Sequence, residues 1–236
     1  MQLSKLEHLA YRELKINGLS VFKAKDLRMV LSVSKAKAYN IIRALKRKNA
    51  IKKSGKNSFA LAEANEFVVG QAINYPSYLS FWSALSYYGF SDQLPKKIFF
   101  ATTKYSREIN NFRYVTLSKE RFFGYTRIGE LCVAEKEKAI VDSLLLPKYA
   151  GGIRELVKCF RSAREQIDLK RLVDYAFKIK SKAVLRRLGF ILENKGYKTR
   201  FLNQIRKKIG KGYELLDPSL KRRNNLNKRW LLDVNC

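Results

Sequence analysis

The chain has 236 residues, with 49 Lys plus Arg against 20 Asp plus Glu and a formal net charge of +29. Hydrophobic residues make up 46% of it, which excludes wholesale disorder and supplies one large core or two modest ones. So large a positive charge repels itself in a compact fold unless a polyanion or salt relieves it, so nucleic acid is the first expected partner and an anionic membrane surface the second.

The membrane expectation falls at once. No apolar run approaches the roughly 20 residues of a spanning helix, and the opening MQLSKLEHLAYRELK mixes acids into an amphipathic pattern instead of forming a signal-type apolar block. The expected location is therefore cytoplasmic. Cys132, Cys159 and Cys236 are odd in number and far apart, which suits a reducing compartment. His8 is the only histidine, so no Cys/His cluster has zinc spacing and no metal or other cofactor is expected.

Taken in chain order, Leu3, Leu6, Ala10 and Leu14 fall at helical spacing and predict a first helix over 3–16, stopped by Asn17-Gly18. A second helix is predicted over 23–31, with Leu27, Val30 and Leu31 inward. SVS is a tight turn with Val33 buried, and Ser34 caps a third helix over 35–49. AIKKSGKNSFALAE then reads as a hairpin, opened by Ile51, tipped at 54–57 and returning through Phe59 and Leu61 at period two. Three helices followed by a basic hairpin is the winged helix-turn-helix plan, expected over 1–62.

The third helix carries the chemistry. At 100° per residue Ala38, Ile41, Ile42 and Leu45 fall on one side, as a core-facing stripe must. The other side holds Ala36, Asn40, Arg43 and Arg47, flanked by Lys35, Lys37, Tyr39 and Lys46. From Ser32 onward no acid appears before Glu63. Asn pairs bidentately with adenine, Arg with guanine, and a small Ala sits against a thymine methyl, so Ala36, Asn40 and Arg43 are expected to read bases. Ser34, Lys35, Lys37, Tyr39, Lys46 and Arg47, with Lys52, Lys53, Lys56 and Asn57 of the hairpin, are expected on phosphates. A solvated basic face is the plain alternative; the helix-turn-helix pattern, the missing acids and the adjoining hairpin together weigh against it.

A connecting segment is expected over 63–77 and a larger mixed domain over 78–236, giving an α+β chain. Its expected elements are a helix over 78–88, strands at 96–102, 112–117, 122–128 and 131–133, a helix on EKEKAIVDSLL, a helical stretch from Gly152 to about Ile209, and short closing strands in YELLD and RWLLDV. Leu79, Trp82, Ala84, Leu85 and Tyr88 at helical spacing read as core rather than as a base-stacking platform.

WSALSYYG, IFFATTK and AEKEKAIVDSLLLP, following a winged helix, resemble the AbiEi family of type IV antitoxins and related transcriptional regulators. The matching positions are Ser83, Ala84, Leu85 and Gly89; Thr102 and Thr103; and Glu137, Lys138, Ala139 and Asp142. Tyr88 stands where the family usually has histidine. The resemblance spans roughly residues 3–234. It implies a repressor on inverted repeats of its own promoter and a C-terminal domain that counteracts a nucleotidyltransferase toxin without a stable complex between the two.

Two rivals remain. The winged helix could dock RNA or sequester a toxin. A metal-dependent nuclease is the other, since Glu135 and Asp142 lie seven apart on one helix face, where paired carboxylates hold Mg²⁺. Against it, Glu135 to Lys138 reads as a charged helix start, no nuclease-type strand motif or Gly-rich phosphate loop is present, and the expectation is a protein that is not an enzyme. RKKIGK (206–211) and KRRNNLNKR (221–229) are further basic clusters that would extend a DNA footprint or meet an RNA or acidic partner.

Overall fold

A computed structural model describes residues 2–197 and 200–236, so Met1 of the first expected domain and two residues of the long helical stretch, Lys198 and Thr199, lie outside the described residues. The chain is mixed α+β. Its contacts divide it into two compact units: residues 1–77 with 127–131, and residues 78–126 with 132–236.

In unit 1, helix α1 (Lys5–Ile16) starts at a reciprocal cap. Ser4 Oγ accepts from the Glu7 amide at 3.4 Å, and the Glu7 carboxylate accepts from the Ser4 amide at 2.7 Å. A two-residue strand β1 (Val21–Phe22) precedes α2 (Ala24–Leu31), whose first turn is held by Asp26 accepting from the Lys23 amide at 2.7 Å. Ser32, in the left-handed region at φ 51°, turns the chain sharply into α3 (Lys35–Arg47), capped by Ser34. Strands β2 (Ile51–Lys53) and β3 (Phe59–Leu61) form a hairpin closed by the Ser54 amide on the Ser58 carbonyl at 3.0 Å.

The sheet order is β1-β3-β2, antiparallel throughout, with Val21 opposite Ala60 and Ile51 opposite Leu61. β1 is an addition to the sequence expectation: two residues are too few to show alternation. Ala10, Leu14, Leu27, Ala38, Ile41, Ile42 and Leu45 form one buried cluster with Phe22, Ile51 and Leu61. Leu31 and Val33 are only half-buried at its margin, and Val30 is half-buried as well. Lys48 Nζ reaches the Glu7 carboxylate at 2.6 Å and ties the end of α3 to the start of α1.

The segment expected as a connection contains a helix, α4 (Glu66–Ile73), with Val69, Gly70 and Gln71 buried, and its contacts group it with unit 1. So do those of residues 127–131, which the sequence reading assigned to the second domain. The Glu130 carboxylate accepts from the Ser20 amide at 3.1 Å and the Ser20 hydroxyl at 2.5 Å, a contact across 110 residues that no local pattern announces.

The second part of the chain carries β4 (Ser77–Leu79), α5 (Phe81–Tyr87), β5 (Ile98–Thr102), β6 (Arg107–Ile109), β7 (Phe112–Thr116), β8 (Tyr125–Ile128) and β9 (Leu131–Ala134). Their sheet runs β6-β7-β5-β4-β9-β8. β5 and β7 pair in parallel from Ile98 opposite Phe112 to Thr102 opposite Thr116, and β4 pairs in parallel with β9. The helix expected over 78–88 is shortened: Tyr78 and Leu79 are strand, because an apolar run fits a buried strand as well as a helix. The strand expected over 122–128 likewise starts only at Tyr125. Edge strand β6 is exposed on two of its three residues and lacks the alternation that would betray it.

Helices α6 (Lys136–Leu145), α7 (Gly152–Ser162), α8 (Leu169–Lys178), α9 (Lys182–Asn194) and α10 (Arg200–Arg206) follow, then a small sheet of β10 (Glu214–Leu215), β12 (Leu232–Asp233) and β11 (Leu226–Asn227) in that spatial order. Trp230, fully buried beside this sheet, lies against Gly189 of α9 and donates its indole N–H to Glu193 at 2.7 Å. A Cβ on Gly189 would stand 2.0 Å from the indole ring. Gly189→Ala is therefore expected to destabilise unit 2 by about 1–3 kcal/mol through overpacking, although Ala ordinarily gains up to ~1 kcal/mol over Gly inside a helix. A urea titration followed by Trp fluorescence checks it. An unchanged midpoint would mean that the indole moves aside freely.

Candidate nucleic-acid interface

The stripe on α3 divides as an amphipathic helix should. Ala38 and Leu45 are fully buried, and Ile41 and Ile42 are each 3% exposed. The opposite side presents Ala36, Asn40, Arg43 and Arg47, all exposed, as are Ser34, Lys35, Lys37, Tyr39 and Lys46. Ser34 Oγ already accepts from the Lys37 amide at 3.2 Å, so what it has left to offer a phosphate is its O–H. On the hairpin, Lys52, Lys53, Lys56 and Asn57 are exposed.

A cleft of about 430 Å³ lies among α2, α3 and the hairpin. Tyr39 and Lys46 line it from α3, and Lys53, Lys56 and Asn57 from the hairpin, with Phe59 beneath. Lys23 and Lys25 line it too, and sequence reasoning missed them. The acid-free stretch could not flag them, since it begins only after Asp26 and both lysines precede it. Their position facing the hairpin depended on chain pairing that only the fold supplies. Ser34, Lys35, Ala36, Lys37, Asn40, Arg43, Arg47 and Lys52 are not in the cleft and stand on open surface.

The electrostatics follow from who has a partner. Lys48 is neutralised by Glu7, and Lys15 by Glu63 at 2.6 Å. Among the described residues, none of Lys35, Lys37, Arg43, Lys46, Arg47, Lys52, Lys53 or Lys56 has a carboxylate within ion-pair distance. A surface that leaves eight cations without internal counterions concentrates positive potential where a polyanion would release bound salt.

The carboxylates weighed for a metal in unit 2 are engaged elsewhere. Glu135 accepts from the Tyr175 hydroxyl at 2.6 Å. Asp142, fully buried, pairs with Lys138 and accepts from Tyr78 Oη at 3.0 Å and Ser80 Oγ at 2.8 Å. Glu137 is 4% exposed and holds the Asp168 amide at 2.8 Å. The charged helix start expected at 135–138 is present, with Glu135 at the N-cap of α6 and Glu137 in its first turn, and the helix is buried from Glu137 through Leu144. Burial pushes the Lys138 ammonium below its ordinary 10.5, with Asp142 opposing, and drives the Tyr78 phenol well above 10. Among the described residues, no group of three or more His, Cys, Asp or Glu is arranged to hold a metal ion.

The remaining expected features distribute as follows. Trp82 is half-buried and donates to Ser91 Oγ at 2.9 Å, while Leu79, Ala84 and Leu85 are core. Tyr88, at the position that the family resemblance gives to histidine, donates to the Ala134 carbonyl at 2.8 Å. His8 is exposed, and the three cysteines are free. Of the two basic tails, Arg206–Lys208, Lys211, Lys221–Arg223 and Lys228 are exposed, whereas Arg229 is tied to Glu193 at 2.8 Å. Among the described residues no helix is long and apolar enough to cross a membrane.

Fold and surface together define a mixed α+β protein whose N-terminal unit exposes a cationic helix beside a cationic hairpin. No protein-family model matches the chain, and no curated protein matches it. Among solved structures it is similar to the crystal structure of the RV2827C protein from Mycobacterium tuberculosis, with a TM-score of 0.69 and 14% identity over 98% of this chain and 92% of that one. At that identity the likeness concerns the fold.

Proposed function

We propose that unit 1 is a winged helix-turn-helix that binds duplex DNA, with α3 as the recognition helix and the β2–β3 hairpin as the wing, and that the protein is a sequence-specific transcriptional repressor. The observation that carries the reading is the division of α3: an apolar side sealed in the core and an opposite side of Asn40, Arg43 and Arg47 left open and without acids. Such a helix is about as wide as the major groove accepts, and the hairpin lysines supply backbone contacts beside it. Its role as an autoregulating antitoxin against a nucleotidyltransferase toxin rests on the AbiEi resemblance alone. Co-expression with the toxin encoded beside it, if there is one, tests that part: growth should be restored without co-purification of the two proteins.

A gel-shift competition tests the DNA reading. Saturable preference for one inverted-repeat duplex over random duplex supports it, and equal or tighter binding of RNA overturns it in favour of a docking surface. Within the reading, Arg43→Ala is expected to cost about 1–3 kcal/mol and to relax selection at one base position. Lys56→Ala should weaken all sequences alike and lower the salt slope by about one unit. Binding-site selection on each variant separates the two roles, and identical behaviour would refute them.

A further inference from the structure

Unit 2 contains an open cavity of about 450 Å³ that the DNA reading does not use. Helices α7 and α9 supply its walls at the same i, i+1, i+4, i+5 spacing: Ile153, Arg154, Val157 and Lys158 on one, and Phe190, Ile191, Asn194 and the capping Lys195 on the other. Leu216 and Val234 extend the apolar lining. Val157, Phe190 and Val234 are only half-buried, so apolar surface faces the opening.

Three cations share that lining, Arg154, Lys158 and Lys195, together with Cys236, and no Asp or Glu side chain does. Glu155, the nearest carboxylate in sequence, is turned into the protein, where it accepts from Ser91 Oγ at 2.7 Å and lies 3.7 Å from Lys158. Among the described residues, Arg154 and Lys195 form no ion pair and no side-chain hydrogen bond. Small-ligand sites are typically about 300–1,000 Å³, apolar inside, with a few fixed polar groups that set orientation. An inorganic anion would waste the apolar walls, and an organic cation would meet only like charge.

We propose that this cavity binds a free amphiphilic carboxylate, its hydrocarbon tail among Val157, Phe190 and Leu216 and its head group at Arg154 and Lys195. The inference stands independently of the DNA reading. Calorimetry on the full chain, with octanoate and decanoate below their micellar concentrations, is expected to give one saturable site. Two added methylenes should tighten it about tenfold. Arg154→Gln removes an exposed guanidinium and should weaken decanoate about tenfold. Val157→Phe fills the opening and should abolish binding. Decyltrimethylammonium binding as tightly as decanoate would overturn the anion assignment, and decanoate binding indifferent to both substitutions would place it elsewhere on this cationic protein. Binding of an acidic amphipathic peptide, lost in Val157→Phe, with no decanoate binding would make the groove a peptide site and defeat the proposal.

Discussion

Raising monovalent salt from about 50 to about 200 mM is expected to weaken duplex DNA binding by about three to five orders of magnitude, if unit 1 neutralises about 6–10 phosphates. The count is set by exposed side chains that have no internal acid to satisfy them: Lys35, Lys37, Lys46, Arg47, Lys52, Lys53 and Lys56, with the newly found Lys23 and Lys25 at the cleft. Each phosphate contact adds about 0.9 to the slope of log affinity against log salt. Replacing Lys46, Lys53 and Lys56 together by Ala should therefore lower that slope by about three units, while Arg43→Ala, if it reads a base, should chiefly change which sequence is preferred. Fluorescence anisotropy across a salt series measures both. A slope near zero would mean that the cationic side of α3 is ordinary solvated surface. A fall in slope on replacing Lys207 and Lys208 instead would move the footprint to the basic tail.

The second large effect is expected at Lys138. Its ammonium is fully buried, pairs with Asp142, donates to Tyr78 Oη at 3.0 Å and sits 4.8 Å from the centre of the Phe123 ring. Lys138→Met leaves the Asp142 carboxylate without its countercharge in a site with no solvent, which should cost about 3–5 kcal/mol. Lys138→Met with Asp142→Asn removes both charges and keeps a carbonyl oxygen for the Tyr78 and Ser80 hydroxyls, so most of the loss should return. Chemical denaturation of the three variants gives the coupling directly. If the single substitution costs under about 1 kcal/mol, water or a rearranged side chain reaches Asp142 and the pair matters little.

What could be read in advance followed periodicity. Ile41, Ile42 and Leu45 recur at the spacing of one helical face, so α3 and the exposure of Asn40 and Arg43 were legible from residue order alone. Phe59 and Leu61 announced the returning hairpin strand in the same way. Polar residues with buried partners were not legible. The order of residues around Glu137, Lys138 and Asp142 does not announce their burial, because their partners Asp168, Tyr78 and Ser80 lie far away in sequence. Gly189 gives no hint that an indole from 41 positions later fills the space beside it. Tyr78 and Leu79 were misassigned because a fully buried strand and a buried helix share the same unbroken apolar text.

The acceptor that Glu130 offers to Ser20 has a bearing on synthesis. Translation proceeds from the N-terminus, so α1 to α4 leave the ribosome well before the carboxylate that completes their unit. A truncation ending at residue 77 would leave the amide and hydroxyl of Ser20 to water, whereas one that includes residue 131 restores the match. Maturation of the N-terminal unit thus waits for about a further fifty residues of chain, roughly 3–10 seconds at ordinary elongation rates.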